Sequence, residues 1–298
     1  MIRKSDTCSE AVREGALLFT EYLKKEDYAH NTILTILASY RLYFSLFEAL
    51  TCQNLQLYRQ YLISHYKAST VNSRLNSINR CLDWISRLDL EKYPQIAGLY
   101  RQDACHIRLT AVKIQTMGFL DTVISQADYT ELKELLKAEG NLFWYFVVRF
   151  LACTGARVSE LITIKAEHLE LGYMDLCSKG GKIRRIYFPP QLCIEARQWL
   201  HDRRITSGFI FTGRSGRPLT ARGIGSQLKV LAHRYGIPEE TVYPHSFRHL
   251  FAKNFLARYQ DISLLADLLG HESIQTTRIY LMQTCREQRE TIDRLVTW

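Results

Sequence analysis

Helical periodicity runs through most of this chain and restricts it to a mainly α architecture. From Asn31, apolar Ile33, Ile36, Leu37, Tyr40, Phe44 and Phe47 recur three and four residues apart, which places them on one helix face. A second stripe, Val71, Leu75, Ile78, Leu82 and Ile85, follows Ser69–Thr70, residue types that cap helix N-termini. Leu142–Ala152 is almost wholly apolar and reads as a buried helix ended at Thr154-Gly155. Strand character is confined to short pieces. Tyr173–Ser178 and Ile183–Phe188 flank Lys179-Gly180-Gly181-Lys182, a hairpin turn signal, and Pro189–Pro190 stops the second strand. Gln191–Arg203 is helical again, and Phe209–Phe211 is a short extended piece. Thr220 opens a helix running to about Tyr235, and three helical segments separated near Asp261 and Gly270 follow Pro244. The expected class is mainly α with a small antiparallel β element.

At roughly 100–200 residues per domain, 298 residues suggest two domains. Glu91–Lys113 has weak periodicity and carries Pro94 and Gly98, so it reads as the connection, with units over 1–111 and 112–298. The formal net charge of +9 favours a polyanionic partner. The eight cysteines form no C-x-x-C pair, which excludes a zinc ribbon and favours reduced thiols. The N-terminal apolar stretch Ala16–Phe19 is too short for a signal-peptide core. The longest apolar stretch, near Leu142–Ala152, is broken by Arg149 and falls short of the ~20 residues that span a bilayer. A soluble, cytoplasmic protein with no membrane partner is expected.

Four segments carry chemistry: Ala156-Arg157-Val158-Ser159-Glu160, Ser178–Lys182, His245-Ser246-Phe247-Arg248-His249, and Leu268-Leu269-Gly270-His271 with Tyr280 nine residues later. Each alone has a bland explanation. Arg157 suits a helix start, Lys179 a solvated turn, His271 a helix C-terminus and Tyr280 an apolar core. Together they make a phosphoryl-transfer site. Two arginines can hold the non-bridging oxygens of a phosphodiester, and a tyrosine hydroxyl can attack phosphorus. A lysine can protonate the leaving oxygen, and a histidine can assist the proton of the tyrosine. A covalent link conserves the phosphodiester energy, so neither metal nor cofactor is expected. On the helix over Val71–Ile85, Ser73, Asn76, Ser77 and Arg80 form a short polar face suited to a DNA groove, or simply to solvent.

In order and spacing these blocks resemble the tyrosine recombinase and integrase family, Xer-type recombinases most closely, over nearly the whole chain. The resemblance implies a helical, SAM-like core-binding domain followed by an integrase-type catalytic domain. It implies that Arg157 and Arg248 clamp the scissile phosphate and that Lys179 is the general acid, with Lys182 a competitor on the same turn and a DNA contact. His245 would stand near the proton of the nucleophile Tyr280, His271 would hydrogen-bond the phosphate, and Glu160 would orient Arg157. The implied partners are double-stranded DNA with specific recombination sites and further copies of the chain, four on two sites. The tail with Ile292, Leu295, Val296 and Trp298 is a candidate docking segment, in cis or in trans. Three alternatives stand beside this one: a type IB topoisomerase-like enzyme, a non-catalytic DNA-binding protein, and a metal-dependent hydrolase using His245 and His249, four apart on a helix.

Overall fold

The structure is a computed structural model that describes residues 6–101, 104, 107–113, 123–177, 183–213, 215–271, 273–281, 289, 292–294 and 296. It divides into two compact units, Met1–Thr116 and Met117–Trp298.

In the first unit α1 (Asp6–Lys25), α2 (His30–Leu46), α3 (Cys52–His65), α4 (Ala68–Ile85) and the short α5 (Pro94–Ala97) enclose one core. The two stripes read from the sequence line it: Ile33, Ile36, Leu37, Tyr40 and Phe44 from α2, and all five residues of the α4 stripe. Phe47 is the exception, sitting just past α2 as its C-cap. Helix α4 starts earlier than Ser69–Thr70 suggest. Lys67 is the N-cap and its carbonyl takes the first helical bond, from the Val71 N–H at 3.0 Å, so both polar residues lie inside the first turn. Helix α4 packs against α1, α2 and α3, so it buries a second row, Ser77, Cys81 and Trp84, beside the expected stripe.

The stretch from Glu91 to Lys113 is not a free connection. Leu99, Tyr100, Ala104 and Leu109 are buried in the first unit's core. Asn79 brackets the Leu109 backbone, its amide donating to the Leu109 carbonyl and its oxygen accepting the Leu109 N–H, both at 2.9 Å. One heptad earlier Asn72 does the same for Val112, at 2.9 and 2.7 Å. Two side-chain amides thus act as a ladder edge for a strand-like segment, satisfying backbone groups that have no sheet partner. Asn79→Ala leaves a buried N–H and a buried C=O unpaired, at about 1–3 kcal/mol each. The expected result is a lower denaturation midpoint of the first unit together with loss of hydrogen-exchange protection at the Leu109 amide. An unchanged midpoint with a protected amide would contradict the bracket's importance.

The second unit holds α6 (Gln126–Ala138), α7 (Leu142–Thr154), α8 (Val158–Leu161), α9 (Ala166–Leu171), β1 (Tyr173–Cys177), β2 (Ile183–Tyr187), α10 (Pro190–Asp202), α11 (Ala221–Arg234), α12 (Pro244–Arg258), α13 (Ile262–Leu269) and α14 (Ile274–Arg278), then a 3-10 turn at Ile279–Leu281. The strands pair antiparallel, from Tyr173 opposite Tyr187 to Cys177 opposite Ile183. Helix α7 is the central rod. Tyr145 to Leu151 are buried except Arg149, which is half-buried, paired with Glu195 and donating to the Tyr145 hydroxyl. Helix α12 packs along α7, and the Ser246 hydroxyl on it accepts the Ile124 N–H at 2.7 Å. Thr220, Ser125 and Asp261 cap α11, α6 and α13 through their side-chain oxygens. Cys52, Cys81, Cys153, Cys177 and Cys193 are free thiols. Among the described residues no helix is long and apolar enough to cross a membrane.

Candidate active site

The site forms where α7 and α13 both end. Helix α7 stops at Gly155, whose φ of 63° is the left-handed conformation that closes a helix. The chain turns through buried Ala156 and presents Arg157 as the N-cap of α8. Glu160, one turn on, accepts the Arg157 backbone N–H at 2.7 Å and its guanidinium at 2.9 Å. Helix α13 likewise stops at Gly270, φ 62°, and His271 follows.

The last carbonyls of a helix have no partner within it and lie at the negative end of its dipole. At the end of α13 three successive carbonyls are taken by three different arginines. Leu268 accepts from Nε of Arg184 at 2.9 Å, Leu269 from Nη2 of Arg248 at 2.6 Å and Gly270 from Nη2 of Arg157 at 3.2 Å. Arg248 also donates to the Gly155 carbonyl at 2.7 Å, tying the two helix ends together. It is 2% exposed. Burial, followed by the charges of Arg157 and Arg184, brings its pKa down to about 10, so it stays charged at neutral pH. Glu160 is the counter-charge, and its Oε1 also accepts Nη1 of Arg184 at 2.7 Å. Arg157 and Arg184 therefore share the Glu160 carboxylate, and with Arg248 beside them the guanidiniums leave an excess of positive charge suited to an oxyanion. Arg157 and Arg184 border a cavity of about 820 Å³ whose lining also includes Glu160, Asp267, Gly270 and His271.

Tyr280 is 7% exposed and packs with Ala252, Leu256, Leu265 and Leu269. Its ring lies edge-on to His249, centroids 5.1 Å apart, and stacks on His271 at 6.1 Å. Burial raises the phenol pKa, while the charge of Arg248 and a hydrogen bond from it pull the other way, as does the charge of Arg157. Burial, then the neighbouring arginine charges, holds the His271 pKa down to about 4, leaving it neutral at pH 7. His245 is exposed on α12; surrounding protein and the charges of Arg248 and Arg157 lower its pKa.

The structure thus brings together Arg157, Glu160, Arg248, His271 and Tyr280. Lys179 and Lys182 lie outside the described residues, between the strand ends Cys177 and Ile183. In the first unit Ser73 and Asn76 are exposed on α4, and Arg80 is half-buried with its guanidinium 4.9 Å over the Tyr28 ring. Ser77 is a correction. It is buried and donates to the Ser73 carbonyl of its own helix at 2.9 Å, which removes it from a groove-facing set. His249, paired with His245 in the metal reading, is half-buried against Tyr280 with its pKa brought down to about 4 by burial. Among the described residues no three histidine, cysteine or acidic side chains group as metal ligands.

Arg184 is the site residue that sequence reasoning missed. It was hidden in a hairpin rich in basic residues, where only the strand alternation places it on the same inward face as buried Ile186. Its side chain is 10% exposed and runs directly beneath Gly270. A Cβ on Gly270 would stand 2.3 Å from Arg184 Cδ. Gly270→Ala therefore adds a steric clash to backbone strain and must displace Arg184 from Glu160 and Leu268. Gly172, φ 76° with nothing within 4 Å of a built Cβ, provides the matched control for strain alone. Activity at this site is expected to fall at least about tenfold more in Gly270→Ala than in Gly172→Ala, the equivalent of one lost charged hydrogen bond. Equal losses in the two variants would contradict this packing argument.

Known proteins share sequence and fold with this chain to differing extents. The sequence model of the phage integrase family matches residues 123–286. Tyrosine recombinase XerA of Pyrococcus furiosus is 35% identical over 154 residues, 50% of this chain and 53% of that protein, so the match spans about half of that relative. TnP I resolvase of Bacillus thuringiensis is 26% identical over 280 residues, 88% of this chain and 93% of that protein. Among solved structures, the Tn1549 transposon integrase in complex with transposon right end DNA aligns over 95% of this chain and 99% of that one, with TM-score 0.69 and 16% identity.

Proposed function

Because the chain belongs to the phage integrase family, we propose that it is a tyrosine recombinase that cuts and rejoins DNA at specific sites through a covalent bond to Tyr280. The observation that carries this reading is the gathering of Arg157, Arg248, His271 and Tyr280 at the end of α13 from three separate stretches of sequence. The Tyr280 oxygen attacks phosphorus and forms a 3′-phosphotyrosine while the bond to the 5′-oxygen breaks. Lys179 donates a proton to that leaving oxygen, and His245 assists removal of the phenol proton. Arg157 and Arg248 stabilise the charge on the non-bridging oxygens, with Glu160 and Arg184 holding Arg157 and the end of α13 in place. Attack by a 5′-hydroxyl from a partner strand reverses the step, so the bond energy is conserved.

Arg248 supports its role through its donor count. Among the described residues, three of the five N–H groups of the guanidinium go to Gly155, Leu269 and His271. Two remain for the Tyr280 phenol and a phosphate oxygen. On this reading the first unit is the core-binding domain, meeting DNA with Ser73, Asn76 and Arg80. Four copies act on two sites in the cytoplasm, and exposed Ile292 and Val296 belong to the segment that docks on a neighbour. A plasmid carrying two copies of a candidate site, incubated with the protein in EDTA, tests the reading. Recombinant circles and Holliday junctions are expected. Relaxation of supercoils without exchange favours the topoisomerase reading instead.

A further inference from the structure

His271 lies between two partners that settle where its ring proton sits. Nε2 is 3.0 Å from Nη2 of Arg248, and Nδ1 is 2.8 Å from Oγ1 of Thr277. A guanidinium has donors only, so Nε2 accepts and carries no proton. The ring is neutral at pH 7, half-buried and faced by Arg248, Arg157 and Arg184. Its one proton is therefore on Nδ1, donated to the Thr277 hydroxyl. Thr277 is 0% exposed on α14, three residues ahead of Tyr280, and the steps proposed above make no use of it.

That tautomer presents a lone pair, not a proton, on the side facing Arg248. To hydrogen-bond a phosphate oxygen while staying neutral, His271 needs its proton on Nε2, and Nδ1 must then accept. A hydroxyl both donates and accepts, and it reorients by rotating its O–H. We infer that Thr277 is a positioning residue for His271, accepting from Nδ1–H in the DNA-free protein and donating to Nδ1 once Nε2–H turns to a phosphate oxygen. The inference rests on the recombinase reading for its phosphate. The proton leaves Nδ1 to water and another arrives at Nε2 from water, so the ring's charge is unchanged. The excess of arginine charge around the ring favours this exchange over forming an imidazolium.

The test uses the full chain with 15N-labelled histidine and reads the His271 tautomer from proton–nitrogen correlations, assigned by their loss in His271→Gln. Inorganic phosphate is the probe. Wild type is expected to show Nδ1–H alone and Nε2–H with phosphate bound, and Thr277→Ser to do the same. Thr277→Val keeps the shape but loses the hydroxyl. It is expected to hold Nδ1–H in both conditions and to cleave DNA about tenfold more slowly, the rate equivalent of one hydrogen bond. A wild-type ring that already carries Nε2–H, that becomes doubly protonated with phosphate, or that does not respond to it overturns the inference. So does a Thr277→Val protein that switches and cleaves like wild type. If Thr277→Val does not fold, the wild-type and Thr277→Ser spectra still decide. The recombinase reading fails separately, through a wild type that never joins DNA, because the tautomer measurement requires no cleavage.

Discussion

Tyr280→Phe is expected to bind recombination-site DNA as wild type does and to form no covalent protein–DNA adduct. The substitution removes one oxygen and leaves the ring among Ala252, Leu256, Leu265 and Leu269. The unit therefore keeps its packing and loses about 1.5–3 kcal/mol from the hydrogen bond between Arg248 and the phenol. The chemical loss is total for this step, because no other atom stands in for the nucleophile. Nicked substrates, which release a short strand after cleavage and so trap the adduct, make the comparison direct. Adduct formation by Tyr280→Phe would move the nucleophile elsewhere in the chain.

Arg248→Ala is expected to injure both stability and catalysis. The guanidinium holds the ends of α7 and α13 through Gly155 and Leu269 and also engages His271. Removing it strands two buried carbonyls, each costing about 1–3 kcal/mol, and opens space in the core. The catalytic loss is about 10²–10³-fold for each donor that no longer meets the transition-state charge. Arg248→Lys keeps the charge but cannot donate to several acceptors in one plane, so it is expected to fold better than Arg248→Ala and to cleave little better. Denaturation midpoints and single-turnover cleavage, measured on both variants, separate the two effects. Arg248→Lys cleaving at the wild-type rate would show that charge alone suffices.

Much of the helical framework was legible because one apolar stripe per helix met one core. The α2 and α4 stripes and the almost wholly apolar α7 are of this kind. Ser77 misled because α4 is surrounded on several sides, so its buried surface is wider than one stripe. The segment after Glu91 misled for a different reason. Its order comes from Asn72 and Asn79, tens of residues earlier, and local periodicity carries no trace of a side chain acting as a sheet edge. The site divides in the same way. Arg157, Arg248, His271 and Tyr280 were readable as blocks in order, and the structure places them together. The device that assembles them, three consecutive carbonyls at the end of α13 each met by its own arginine, was not readable. It depends on where two helices stop in space, and Arg184 reaches it from a strand whose neighbours are also basic.

The central claim is that Tyr280 becomes bonded to the 3′-phosphate of a cleaved strand. The most direct measurement traps the wild-type adduct on nicked DNA in EDTA, digests both protein and DNA, and locates the nucleotide-bearing residue by mass spectrometry. The expected product is a peptide carrying a 3′-linked nucleotide on Tyr280, with a free 5′-hydroxyl on the released strand. A nucleotide on any other residue, or one attached through its 5′-phosphate, would contradict it.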